Sequence, residues 1–249
     1  MLKEFVEKIM EVSEPHFHAG LTGEYSDKKL SRLPNELRAE PFTVLSLSGL
    51  VDYLKHFAHD LKAEPGYFVH VVSPTEVRVM SGLDMDRDRE TLVKAVAEVP
   101  SIPFKRFLDN EEMIIVMQSM FADEKQNPDG TPTDYGLVLK FAGTVVNGSV
   151  TEYGDDGVTQ KATVKSGIKT LSEAVVPNPC TLRPYRTFPE VEQPASQFIF
   201  RMREDESEAV CSALFEADGG AWKNEARQNI ADYLAQALEF EGITIPVIC

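Results

Sequence analysis

The chain has 249 residues, 43% hydrophobic and 26% charged, so it is long enough to bury a substantial core and too hydrophobic for intrinsic disorder. Its net charge of −15 argues against general coating of a nucleic acid duplex, because nonspecific affinity for DNA comes from neutralising phosphates. The three cysteines are widely separated and lack metal-binding spacing, which excludes a disulfide framework and a zinc knuckle and favours a reducing, cytoplasmic compartment.

The N-terminal segment LKEFVEKIMEVS carries apolar residues at helical spacing, interrupted by acidic ones. It predicts an amphipathic helix and lacks the continuous apolar region of a signal peptide. Residues 13–41 are rich in Pro, Gly, Ser and charge, and predict an irregular surface arm. No run reaches the roughly 18 apolar residues that cross a bilayer, so we expect no membrane partner.

Residues 42–61 predict a strand that leads into a helix with Ser48 as its N-cap. Two β-type runs follow, YFVHVV and EVRVMSGL, joined by a tight turn at residues 73–75. Residues 89–99 fit a helix by length and a strand by the spacing of the valines, and the strand is the favoured interpretation.

Asp109, with Glu112 three residues later, predicts the capped start of a core helix over residues 108–121. The pattern then changes to a period of two, and GLVLKFAGTVV, GSVTEY and VTQKATVKSGI predict β segments. Asn147-Gly148 and residues 154–157 separate them as hairpin turns, unless the first is a bulge within one long hairpin. Either reading puts an antiparallel sheet in the middle of the chain.

Residues 183–203 begin irregularly, with three prolines, and end as a strand whose side chains alternate between two faces. One face carries Ser196, Phe198, Phe200 and Met202, and the other carries Gln197, Ile199, Arg201 and Arg203. VCSALFE predicts another strand, residues 222–239 a helix, and ITIPVIC a closing strand. The sequence therefore predicts one α+β domain over residues 1–249, in which about four helices pack on a central antiparallel sheet, a meander or a long hairpin. Residues 1–41 form an N-terminal helix and arm of that domain.

Charge is distributed unevenly along the chain. Residues 160–203 carry +4, whereas residues 204–249 carry −8 and the other 159 residues carry −11. Such a basic segment in an acidic chain can steer an anionic partner or dock on the acidic face of a second copy. The candidate ligand-binding residues are Lys161, Lys165, Arg183, Arg186, Arg201 and Arg203. The competing interpretation is a solvated sheet face whose cations pair with nearby acidic residues.

Metal and catalytic motifs are weak. Asp84, Asp86 and Asp88 alternate as in a calcium loop, but Gly and Glu are missing from the required later positions. His56 and His59 lie one helical turn apart without a third ligand. No nucleophile motif, Walker motif or dinucleotide fingerprint occurs. The sequence predicts no catalytic residue, no metal site and no cofactor, and it favours a non-enzymatic protein.

The stretch LFEADGGAW, residues 214–222, precedes the last helix and carries Glu216 and Asp218. A helix N-terminus attracts phosphate, but two carboxylates beside it oppose an anion. The stretch is therefore interpreted as a strand-to-helix corner, turned by Gly219-Gly220 and capped by Asp218 or Gly220. Cys180 is interpreted as a buried, inert thiol.

Three stretches together, EYGDDGVTQKATVKSGI, RPYRTFPEVEQPASQFIFRMR and LFEADGGAWKNEARQNIADYL, resemble a group of conserved hypothetical proteins from tailed phages and prophages of Gram-positive bacteria. The resemblance covers roughly residues 42–245. It implies an intracellular protein made during phage infection, and it implies no activity, because that group has none assigned.

The leading functional hypothesis is a phage accessory or assembly protein that acts by binding, as a homo-oligomer with complementary acidic and basic faces. One alternative is a binder of single-stranded nucleic acid or a nucleotide signal, in counter-defence, through the basic segment 161–203. Another is an acidic mimic of DNA that blocks a host enzyme. A metal-dependent enzyme built on Glu216 or Asp218 is the least favoured.

Overall fold

The structure is a computed structural model. It describes residues 2–13, 15–20, 23–26, 40–61, 66–84, 87–123, 127, 131–144, 151–152, 160–166, 170–175, 178–204 and 209–249. The chain divides into two compact units, Met1–Arg38 and Ala39–Cys249.

The described residues form five α-helices and fourteen strands. The helices are α1 (Leu2–Ser13), α2 (Leu47–His56), α3 (Asn110–Met120), α4 (Asp134–Thr144) and α5 (Trp222–Phe240). The strands are β1 (Phe17–Gly20), β2 (Gly23–Ser26), β3 (Phe42–Val44), β4 (Tyr67–Ser73), β5 (Glu76–Ser81), β6 (Thr91–Val96), β7 (Leu108–Asp109), β8 (Thr151–Glu152), β9 (Gln160–Ser166), β10 (Thr170–Val175), β11 (Cys180–Leu182), β12 (Ser196–Glu204), β13 (Val210–Glu216) and β14 (Val247–Ile248).

The first unit contains the predicted N-terminal helix, α1, followed by an antiparallel hairpin of β1 and β2. The hairpin corrects the expectation of a wholly irregular arm. Residues 3–10 of α1 are all exposed, on the apolar side of the helix as well as the polar side.

A five-stranded sheet in the second unit has the order β14-β4-β5-β6-β3, antiparallel at its centre and parallel at both ends. Alternate residues of its central strands face one core, where α2 and α5 pack against them. Val69 and Val79 are fully buried there, beside Leu50 and Leu234 from the helices. The predicted hairpin of β4 and β5 and the favoured strand over residues 89–99 are both confirmed.

A four-stranded antiparallel sheet has the order β11-β12-β13-β7. One face packs against α3 and α4 and buries Phe198, Phe200 and Met202, as the period of two predicted for β12. Residues on the opposite face of β12 and β13 are mostly half-buried or exposed, and we call this the outer face of the sheet.

The helix starts follow their capping residues. Asp109 accepts a hydrogen bond from the Glu112 amide at 2.8 Å, which confirms the predicted start of α3. The N-cap of α2 is Ser46, whose hydroxyl accepts from the Gly49 amide at 3.0 Å. The predicted cap, Ser48, was two residues too late.

The middle of the chain differs from the prediction. The segment from Asp134 to Thr144 is a helix, α4, where a strand was predicted. Its buried residues Tyr135, Val138 and Ala142 recur at helical spacing, and packing against α3 and β11 buries them. The antiparallel pairing of β8 with β9 agrees with the predicted hairpin, although its turn lies outside the described residues.

The fold class is α+β, as predicted. Where one central antiparallel sheet was predicted, however, the described residues of the second unit form the two main sheets above and a smaller three-stranded sheet, β10-β9-β8.

Residues 183–195, which we call the connecting segment, run between the two main cores. Leu182 and Phe198, which flank this segment in the sequence, lie in the core under the four-stranded sheet. Phe188 and Val191, within the segment, lie in the core under the five-stranded sheet.

Candidate functional site

Arg186 lies in the connecting segment and is only 6% exposed. Its Nη1 donates to Glu216 Oε1 at 2.8 Å, and its Nη2 donates to the Ser196 hydroxyl. A buried guanidinium is tolerated only where carboxylate and hydroxyl groups replace its water. Arg186 therefore has the environment of an internal ion pair between the connecting segment and β13.

Two aromatic rings complete the surroundings of Arg186. The guanidinium carbon lies 3.8 Å from the centroid of the Trp222 ring and 5.8 Å from that of Phe198. A cation over an indole face is worth up to about 2 kcal/mol when water is excluded. Trp222, the first residue of α5, is half-buried and lies against Arg186.

Asp218 extends this network to the start of α5. Its carboxylate accepts from the Gly220 amide at 3.0 Å and the Trp222 amide at 3.4 Å. Burial raises the pKa of Asp218, but hydrogen bonds from Gly220, Ser196 and Trp222, with the charge of Arg186, lower it overall. The predicted corner is confirmed, with Gly219 and Gly220 at φ values of 63° and 85°. The N-cap of α5, however, is Ala221 and neither Asp218 nor Gly220.

The network around Arg186 is structural in its chemistry. Burial lowers the pKa of Arg186 to about 10, against the opposing influence of Glu216 and Asp218, so the guanidinium stays charged at neutral pH. Its partners come from β12, β13 and α5, and each is already engaged within the chain. This arrangement fixes the connecting segment to the sheet and leaves Arg186 without a surface for an external ligand.

The connecting segment carries other charges that are paired within the chain. Glu190 Oε1 accepts from the Leu47 amide at 2.9 Å and the Ser48 amide at 3.3 Å, so this carboxylate occupies the N-terminus of α2. Arg183 pairs with Glu192. The pairing of Arg183 with Glu192 agrees with the interpretation in which the cations of the basic segment pair with nearby acidic residues.

Arg201 and Arg203 lie on the outer face of the four-stranded sheet, where the alternation of β12 predicted them. The guanidinium carbon of Arg203 lies 3.9 Å from the centroid of the Phe107 ring. Phe107 in turn meets Phe215 of β13 edge to face, with 6.2 Å between the ring centroids.

A loop beside β13 adds two more cations. The Lys105 amide donates to the Leu214 carbonyl at 2.9 Å, and Lys105 has a φ of 64°, which is uncommon for a residue other than glycine. Lys105 and Arg106 are exposed. We call the surface formed by Lys105, Arg106, Phe107, Arg203 and Phe215 the basic aromatic face.

Phe107 and the two cations beside it were missed by sequence reasoning. The run PFKRF, residues 103–107, alternates aromatic and basic side chains and was a signal for such a surface. Its placement next to Arg203 depends on the pairing of Leu108 with Ser212 and on the Lys105 contact, which no local pattern reveals.

The six predicted ligand-binding residues do not form one cluster. Leu182, next to Arg183, pairs with Ser196 at the start of β12, whereas Arg203 lies seven residues farther along that strand, about 23 Å away. Arg183 and Arg186 are therefore distant from Arg203. Lys161 and Lys165 lie on β9, four residues apart, and their side chains are outside the described part of the chain.

The weaker metal candidates gain no further ligands. The Asp84 carboxylate accepts a hydrogen bond from the Asp88 amide at 2.8 Å, and His59 Nε2 lies 3.4 Å from Asp60 Oδ1. Asp86 lies outside the described residues. Within the described ranges, no group of three or more His, Cys, Asp or Glu side chains is placed to hold a metal ion.

Cys180 is buried, as predicted, with its Sγ 3.6 Å from the Phe198 carbonyl oxygen. Burial, with the nearby charge of Asp134, raises the pKa of the thiol to about 12. Because the thiolate is the reactive form, this environment suppresses the nucleophilicity of the thiol.

The helix α1 presents an apolar surface of a different kind. Its apolar side chains are 47–65% exposed, and we call them the α1 stripe: Phe5, Val6, Ile9, Met10 and Val12. A helix of 12 residues is marginal alone in water, so a stripe of this kind gains stability when it is covered. Over the described parts of the chain, no helix combines the length and apolarity that a membrane span requires.

Comparison with known proteins adds no assignment. No family model matches the chain, and no curated protein or solved structure matches it either.

Proposed function

We propose that the protein is a non-enzymatic accessory or assembly protein of a tailed phage or prophage, which acts by binding and forms a homo-oligomer. It would work in the cytoplasm of an infected or lysogenic bacterium. The phage context comes from the sequence resemblance of residues 42–245, and mass spectrometry of a lysogen before and after induction tests it.

The α1 stripe is the observation that carries the self-association. Monomeric soluble proteins rarely expose a contiguous apolar patch on a short helix without using it for contact. A 12-residue helix is about 18 Å long and 10 Å wide. One helix-to-helix contact of that size falls well below the roughly 1,000 Å² of a stable interface, so we expect more than two helices, or further surface, to take part.

The buried charges favour this proposal over ligand capture by the basic segment. Arg186 is buried against Glu216, which removes one of the six predicted cations from external contact, whereas Arg183 pairs with Glu192 at the surface. Of the six, Arg201 and Arg203 remain on the outer face of the four-stranded sheet. Self-association through apolar and charged contacts uses the surfaces that the fold leaves exposed.

The test is light scattering coupled to size exclusion over a range of protein concentrations. We expect the wild type to be oligomeric and Ile9→Glu to shift it toward the monomer, because a carboxylate in a buried stripe is costly. Ile115→Glu is the matched control, since Ile115 on α3 is 56% exposed and Ile9 is 51% exposed. A wild type that stays monomeric at every concentration would refute the proposal.

A further inference from the structure

The outward side of α5 carries an acidic stripe. Glu225, Asp232 and Glu239 are all exposed and are seven residues apart, so they line one side of the helix over about 21 Å. Phe240, the last residue of the helix, is 88% exposed. The C-terminal end of α5 therefore presents a phenylalanine next to a carboxylate.

The basic aromatic face offers the complementary chemistry. Its two phenylalanines lie in contact, and Arg203 stacks on one of them. Lys105 and Arg106, which directly precede Phe107 in the chain, are exposed. Aromatic and arginine side chains are the groups that most often anchor protein interfaces.

We propose that the basic aromatic face of one copy receives the C-terminal end of α5 of a second copy. Phe240 packs against Phe107 and Phe215, and Glu239 lies among the cations. This inference rests on the proposed self-association and assigns to it a second contact, separate from the α1 stripe.

Charge favours a second copy over a nucleic acid as the occupant. The chain carries −15 overall, and Asp109 and Glu112 lie at the border of the face, with Arg106 3.8 Å from Glu112. A polyphosphate approaching this border meets carboxylates, whereas the end of α5 brings an apolar ring, Glu239, and Glu241, whose charge is already paired with Lys55 at 2.8 Å. The mixed border therefore fits a protein segment better than a phosphate backbone.

The two surfaces are different, so the contact is heterologous and each copy uses both of them. Such contacts build a ring when the rotation closes and an open chain when it does not. Because charge pairs contribute, we expect the association to weaken as salt rises.

The experiment uses full-length protein carrying Ile9→Glu, so that the α1 stripe is disabled, and measures association by sedimentation velocity at low salt. Arg203→Glu and Glu239→Arg should each weaken association at least tenfold. An equimolar mixture of the two variants should restore it, because the reversed charges pair again across copies. Phe240→Ser should weaken it without rescue. Lys140→Glu on α4, an exposed cation elsewhere, is the control and should change nothing.

The outcomes separate this inference from the proposed function. If the Ile9→Glu protein is monomeric while the wild type is oligomeric, the α5 contact is wrong and self-association through α1 stands. If neither Arg203→Glu nor Glu239→Arg weakens the association, the inference is also overturned. If Arg203→Glu abolishes binding of a labelled single-stranded DNA oligonucleotide and leaves association unchanged, nucleic acid is the occupant and the inference is overturned.

Discussion

The guanidinium carbon of Arg186 lies 3.8 Å from the centroid of the Trp222 ring, and this contact joins the connecting segment to the first turn of α5. Glu216 holds the same guanidinium from β13, at 2.8 Å. The end of β13, at the corner before α5, thus supplies one half of a partly buried ion pair, whose other half lies thirty residues earlier in the chain.

Arg186→Ala should lower the free energy of unfolding by about 3 kcal/mol, because it removes the ion pair of Glu216 and the cation stacked on Trp222. Urea denaturation followed by far-UV circular dichroism measures this. Arg183→Ala is the matched control, because Glu192, the partner of Arg183, is largely exposed, and it should cost less than about 1 kcal/mol. Equal losses for the two variants would show that burial of Arg186 contributes nothing.

The local features of the fold could be read from sequence where a pattern repeats at short range. The alternation of β12, the Asp109 cap and the Gly219-Gly220 corner were all predicted, because each depends on neighbouring residues. The expected cap of the last helix, Asp218 or Gly220, was wrong, because the N-cap is Ala221, and the Asp218 carboxylate instead accepts from two amides at that corner.

The prediction failed at α4, where the glycines and valines of GLVLKFAGTVV suggested a strand. Thr133 is a helix-start signal in this segment, because its hydroxyl accepts a hydrogen bond from the Gly136 amide at 3.1 Å. The prediction did not use this signal. Burial of Tyr135 and Val138 against α3 and β11 then decides the conformation. Tertiary packing of this kind overrides weak local preference.

The candidate site was predictable only in part. Arg201 and Arg203 follow from strand alternation, but the stacking of Phe107 on Arg203 requires the long-range pairing of β7 with β13. Burial of Arg186 was not predictable either, since arginine is rarely buried and its partners lie far away in the chain. Sequence composition counts charges, whereas only the fold shows which of them are neutralised internally.

Asp218→Asn should make the protein less stable at neutral pH. It should also make the free energy of unfolding fall less steeply as the pH is lowered. Because the folded-state pKa of Asp218 is lowered, its ionised form adds stability above the ordinary carboxyl pKa of about 3.9, and this is lost as pH falls below that value. The fluorescence of Trp222, the only tryptophan, reports the transition. Asp232→Asn, at an exposed carboxylate on α5, should leave the acid midpoint unchanged. Identical acid profiles for wild type and Asp218→Asn would contradict this.

Thiol titration should distinguish the three cysteines. Cys249 is exposed and should react quickly with a disulfide reagent in the native protein, while half-buried Cys211 should react more slowly. Cys180 should react only after unfolding, because its thiol is buried and burial raises its pKa to about 12. Cys180→Ser, followed by the same titration, identifies the slow thiol. A native protein in which all three thiols react quickly would show that Cys180 is accessible.

Tyr53 should give the protein a stability that is lost in alkaline solution. Burial, the hydrogen bond that its hydroxyl donates to Asp60 at 2.8 Å and the charge of Asp60 raise its pKa to about 12. The folded state thus holds the phenolic proton more tightly than the unfolded state, whose pKa is about 10. The contribution is complete below pH 10 and disappears as pH rises from about 10 to about 12.

Urea unfolding at several pH values between 9 and 11.5 measures this dependence. Tyr53→Phe should lower the free energy of unfolding at pH 9 and show a shallower decline with rising pH, because the phenolic proton is gone. Tyr185→Phe is the matched control, since its ring is 40% exposed, and it should decline as the wild type does. If Tyr53→Phe declined as steeply as the wild type, the bond to Asp60 would have no part in alkaline stability, and other groups would have to explain the slope.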